Sequence, residues 1–131
     1  MQPAQIFTPT ALAALFPPER TNDFFDALLG DAEEGAYDIT LDFEGYDTGR
    51  QCLNFLLNLH ERPGRCLACN LTHGLTEVFK RHPIINIKGL VDDIGKLLGE
   101  GMRCEDWQLG RTIQKGRSLH CIPLQIKLKN A

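Results

Sequence analysis

The chain has no apolar run approaching the roughly 18 residues of a membrane-spanning helix, so no span of that kind is expected. It also lacks the features of a secretory leader. The apolar stretch ALAALF near the start is six residues long, and no basic residue precedes it, which points to a cytoplasmic protein. An even cysteine count is missing: there are five, which suits free thiols better than a disulfide framework. Positive charge is in deficit, with a formal net charge of −3, and this argues against nucleic acid as a partner. No phosphate-binding glycine loop, His-Glu-x-x-His helix or Ser-His-Asp set occurs. The acids Glu33-Glu34 and Asp92-Asp93 are adjacent, so each pair divides between faces and names no general acid–base couple. Repeats and low-complexity segments are absent as well.

What remains is an ordinary globular composition. With 131 residues, 43% hydrophobic and 24% charged, the chain suits one domain with one modest core. Residues 1–20 read as a loosely attached N-terminal arm and residues 21–131 as a single domain. Charge is divided unevenly. Up to residue 47 there are ten acids and one base, Arg20, and beyond it thirteen bases and seven acids. The acidic front either packs beside the basic remainder or forms a docking face.

Periodicity supplies the elements. Thr8 and Pro9 cap a short helix over 10–16, which Pro17-Pro18 ends. Thr21 is placed to cap a second helix, NDFFDALLG, with Gly30 after its end. Its stripe of Phe24, Phe25, Leu28 and Leu29 serves a core or a partner. Strict alternation then marks strands. Tyr37, Ile39, Leu41 and Phe43 oppose acids and Thr40 in the first, and Leu53, Phe55, Leu57 and Leu59 share one face of the second. CLACNLT, residues 66–72, reads as a third strand. Leu75, Val78 and Phe79 form a short helix closed by His82-Pro83. Asn86 caps a stronger helix carrying Ile87, Leu90, Val91, Ile94, Leu97 and Leu98, with Gly99 at its stop. Gly89 and Gly95 lower its propensity and permit close approach to a sheet. A closing hairpin with a two-residue loop at Lys115-Gly116 pairs Leu109 with Ile122 and Trp107 with Leu124. Pro123 requires that last strand to be an edge or to carry a bulge. The predicted class is α+β: a five-stranded, mainly antiparallel sheet, in the order (α)α-β-β-β-α-α-β-β, with the 86–98 helix across one face.

The second face of this sheet holds the candidate binding residues. Its middle strands offer Cys52, Asn54, Leu56, Asn58, Cys66, Ala68 and Asn70, where a solvated face would carry charge. Such a face is usually covered: by the N-terminal helices folding back, by a second copy, or by a ligand. Cys52, His60, Cys66 and Cys121 point to it, yet facing one way is far short of four ligands around one zinc ion, and no metal or cofactor is expected. Cys66 and Cys69 form a Cys-x-x-Cys, but on a strand they face opposite ways and can neither chelate nor join. His73 lies at a strand-to-helix junction, where it is either a plain turn histidine, the favoured reading, or placed where free N–H groups can meet a ligand. Arg111 and His120 are expected directly opposite each other on the core side of the last hairpin, able to hold an anion or reaching water past the helix.

The leading expectation is a non-enzymatic binding or regulatory domain. It would form a homodimer or hold a protein partner through the weakly polar face or the acidic N-terminal helices. The alternatives are a small-molecule, metal or thiol-redox protein using the Cys/His cluster, and a small enzyme with an Arg111/His120/His73 pocket.

Overall fold

The computed structural model describes residues 2–64 and 75–130. In chain order it contains α1 (Pro3–Ile6), α2 (Pro9–Leu15), α3 (Pro18–Leu29), a single 3-10 turn (Ala32–Glu34), β1 (Tyr37–Asp47), β2 (Cys52–Glu61), α4 (Leu75–Arg81), α5 (Ile87–Leu98), β3 (Met102–Leu109), β4 (Ile113–Gln114) and β5 (Leu119–Asn130). The strands make one five-stranded antiparallel sheet in the order β1-β2-β5-β3, with β4 also pairing with β5. The fold is therefore α+β. The strand expected over 66–72, with Cys66 and Cys69, lies outside the described residues. No described helix is long and apolar enough to cross a membrane.

Local chemistry accounts for most helix ends. The Thr8 hydroxyl accepts the Ala11 N–H at 3.2 Å and Pro9 opens α2, and Asn86 accepts from Gly89 N–H at 3.1 Å to open α5. A Cβ on Gly89 would collide with the Asn86 side chain, so that glycine serves the cap and not the sheet. Gly95 does approach the sheet: a Cβ there would sit 3.6 Å from Cys104 Sγ on β3. Gly30 ends α3 in the left-handed region at φ 81°, where a Cβ is disfavoured. Thr21 is not the cap of α3. The helix starts one turn earlier at Pro18, because a proline in the first turn gives up an N–H that has no intrahelical partner anyway.

One core holds the layers together. Ile39, Leu41, Leu53, Phe55, Leu57, Leu59, Ile122, Leu124, Ile126 and Leu128 line one sheet face and are all buried. The α5 residues Ile87, Leu90, Val91 and Ile94 lie against that face, as expected from their spacing. So do the N-terminal helices, the first of the three covers considered for the other face. The Phe7 ring lies 5.1 Å from Phe43 and 5.0 Å from Phe55, Phe24 meets Phe79 at 5.7 Å, and Phe25 meets Tyr37 at 4.9 Å. The cause is the alternation of β1: its apolar residues point one way, and Asp38, Thr40 and Asp42 the other, so an apolar helix gains only on the first side. The segment read as a loose arm thus contributes Phe7, Leu12, Leu15 and Phe16 to the core.

The last hairpin also differs from its expected register. Trp107 pairs with Ile126 and Leu109 with Leu124, two residues further along β5 than a two-residue loop allows. Apolar still meets apolar because a shift of two preserves the face. The pairing slips at Glu105, between Cys104 and Asp106, and again where the chain leaves β3 for the short β4. Gly110 N–H donates to the Pro123 carbonyl at 2.8 Å. The nitrogen of Pro123 faces the same side, so its missing donor falls where the ladder is interrupted. That interruption lets an internal strand carry a proline.

Candidate functional site

The second face of the sheet presents Asp38, Thr40 and Asp42 from β1, Cys52, Asn54, Leu56, Asn58 and His60 from β2, and Cys121, Pro123, Gln125 and Lys127 from β5, placed side by side by the strand registers. Asp106 and Gln108 of β3 complete it. Every buried apolar residue of the described helices belongs to the core on the opposite face, so no described helix covers this one.

Its polar groups satisfy one another laterally. His60 Nε2 and the Thr40 hydroxyl are 2.8 Å apart. Asn58 Nδ2 donates to Asp42 Oδ2 at 2.6 Å, and the Cys121 thiol donates to Asn58 Oδ1 at 3.0 Å. Gln108 donates to Gln125 at 2.9 Å. Asn58 and Cys121, at 6% and 1% exposure, are both buried and bonded to each other. Burial pushes the Cys121 thiol up; Lys115 opposes this, and Glu44 and Asp42 reinforce it. This thiol is a hydrogen-bonded, protonated group, not an activated nucleophile. Beside it opens a shallow hollow of about 470 Å³, with Phe55, Leu56, Pro123 and Ile113 among its apolar lining and Glu44, Asp47 and Lys115 as its charged lining.

The expected site residues do not gather at one point. Cys52 and His60 stand eight residues apart on β2, about 27 Å at ~3.4 Å per residue. Cys121 pairs with Asn58 and so lies diagonal to His60. Among the described residues, no group of three or more His, Cys, Asp and Glu side chains is arranged to hold a metal. Cys66 and His73 lie outside the described residues. Arg111 and His120 are not opposed: His120 pairs with Leu59 and Gln114, while Arg111 is exposed and falls between β3 and β4. The two-residue register shift separates them. His120 faces the core side at 6% exposure, and its Nδ1 has no hydrogen-bond partner among the described residues.

Two features escaped the periodicity. The first is Arg62, just past β2. Its guanidinium donates to Asp38 Oδ1 at 3.1 and 2.9 Å, to the Ala32 carbonyl at 2.7 Å, to the Gly35 carbonyl at 3.4 Å and to Asn22 Oδ1 at 3.0 Å, while lying 5.3 Å from the Phe25 ring. It clamps α3, the 3-10 turn and β1 together. The second is a largely apolar cavity of about 320 Å³ between α2 and the outer side of β1. The signal in the sequence is the run of Pro9, Leu12, Ala13 and Phe16 ahead of an alternating strand.

No protein-family model, curated protein or solved structure matches the chain.

Proposed function

We propose that this protein is a non-enzymatic binding domain that self-associates through the second face of its sheet, working in the reducing environment that its free thiols suit. The observation carrying this reading is the bare, weakly polar centre of that face: Asn54, Leu56, Pro123 and Gln125 are half-buried, and no described element packs on them. Uncharged sheet surface of this kind gains from burial against a complementary sheet. A second copy supplies the complement. The β1 side of the face carries Asp42, Glu44 and the Arg62-paired Asp38, whereas Lys115 and Lys127 lie on the β4–β5 side, Lys127 beside Glu105 and Asp106. A two-fold axis running along the strands sets the β1 side of one copy over the β4–β5 side of the other, which favours this orientation.

Sedimentation velocity tests the proposal. The wild-type protein should sediment as a dimer. Leu56→Glu and, separately, Asn54→Lys should sediment as monomers with unchanged far-ultraviolet circular dichroism. A wild-type monomer at the highest soluble concentration, or a dimer indifferent to both substitutions, overturns it.

A further inference from the structure

Among the described strands β1 is at an edge: β2 pairs with its inner side, and no described strand pairs with its outer side. In an antiparallel strand the backbone groups of alternate residues point to alternate sides. The Ala36 carbonyl points inward, accepting from Arg62 N–H at 2.9 Å. Ile39 N–H points outward, to the Thr21 hydroxyl at 3.2 Å. Leu41 and Phe43 share the parity of Ile39, so their N–H and C=O groups also point outward, beyond the position that Thr21 occupies. Facing that edge is the 320 Å³ cavity, whose wall is formed by Pro9, Leu12, Ala13, Phe16 and Pro18.

We infer that this edge is a docking groove for an extended peptide segment, which adds to the sheet as a strand outside β1 and carries basic residues at alternate positions. The geometry supplies both parts of strand addition: unpaired main-chain groups for affinity and an apolar trough for every second side chain. Charge selects the partner. On the other side of the new strand lie Asp42 and Glu44, both exposed, while Asp38 is already engaged by Arg62 at 2.9 Å. Lysine or arginine in cross-strand positions is favoured there. A second copy of β1 is disfavoured at the same edge. Antiparallel pairing of two such strands near Leu41 sets Asp38, Asp42 and Glu44 of one against the acids of the other, directly or diagonally, and like charges in those positions repel. This groove is separate from the face proposed for self-association, so either assignment can fail alone.

The test uses the full chain and a fluorescein-labelled peptide of four Lys-Val repeats, read by fluorescence anisotropy. Saturable binding is expected. It should weaken at least tenfold when alternate peptide nitrogens on one side are methylated, which removes main-chain donors but no charge. It should weaken similarly in the Ala13→Lys protein, whose substitution is at an exposed position on the groove wall, at unchanged melting temperature. Leu56→Glu should bind normally. In nitrogen–proton correlation spectra, the Leu41 and Phe43 amides should shift on titration. No binding, equal binding of the methylated peptide, or equal binding by a peptide with its lysines in one block overturns the inference, the last two by reducing it to charge attraction alone.

Discussion

Replacing Arg62 with alanine should cost about 2–4 kcal/mol of folding stability, because its bonds to backbone carbonyls outweigh its ion pair. The Arg62 side chain is 15% exposed and that of Asp38 is 60% exposed. A pair so open to water on one side contributes roughly 0.2–1 kcal/mol. The bonds to the Ala32 and Gly35 carbonyls are charge-assisted and part-buried, of a class worth about 1.5–3 kcal/mol, the bond to Asn22 is exposed and adds little, and the contact with Phe25 adds about 0.5–1 kcal/mol. These do not add fully, since the carbonyls regain some water when the side chain is removed. Three outcomes follow for urea unfolding followed by circular dichroism. Arg62→Ala loses the full amount, Asp38→Ala loses under ~1 kcal/mol, and Arg62→Lys recovers less than half. A lysine ammonium cannot reach donors in three directions as the planar fork does. A cost for Asp38→Ala equal to that for Arg62→Ala would refute the reasoning by making the ion pair the dominant contact, as would near-complete rescue by lysine.

Thr21→Val should destabilise by about 1–3 kcal/mol, because it leaves the buried Ile39 N–H without its acceptor; Thr21→Ser should keep most of the stability in the same denaturant assay. Gly35→Ala should cost about 1–3 kcal/mol, since a Cβ there would run into the Phe25 ring, whereas Gly116→Ala, with open space around it, should be neutral; equal effects on melting temperature would contradict this. Burial, followed by Asp92, pushes the Cys104 thiol up, and burial also raises that of Cys121. Both should therefore label more slowly than half-exposed Cys52 in site-resolved mass spectrometry with a thiol reagent at neutral pH. Burial likewise raises the Tyr37 hydroxyl above its ordinary 10.0. Between the unfolded and folded values the native state holds the extra proton, so stability should be flat at neutral pH and fall as pH rises past the ordinary cysteine and tyrosine values. A stability that climbs through that alkaline window would rule out these burials.

The elements legible in the sequence are those whose cause is local. The alternation of β1 and the 3.6-residue stripe of α5 arise within each segment, so β1, β2, α5 and the Thr8 and Asn86 caps stand where expected. The start of α3 was misread because Pro17-Pro18 both closes one helix and opens the next, and Thr21 looks like a cap until Ile39, eighteen residues on, claims its hydroxyl. The hairpin register was hidden by the slip at Glu105 and the break beside Pro123, since neither disturbs the apolar alternation. The surfaces were half legible. The neutral centre of the second face could be read from Asn54, Leu56 and Asn58, but not what lies against it, and the bond between Asn58 and Cys121 spans 63 positions. Arg62 draws its partners from four separate points upstream, so no window around it betrays the clamp.

β5 pairs with β2 on one side and with β3 and β4 on the other, yet it follows all of them in the chain. Until residues 119–130 have left the ribosome, β2 and β3 have nothing between them, and half the core has no floor. The β1–β2 hairpin can form early, but the sheet closes last and by contacts of long sequence separation, which makes for slow folding. During synthesis the nascent chain therefore shows β2's inner edge as well as β1's outer one, and of these two only the outer edge of β1 has no described strand against it afterwards. Holding the β2 edge free of other chains is a task for the cell's chaperones until the last strand arrives.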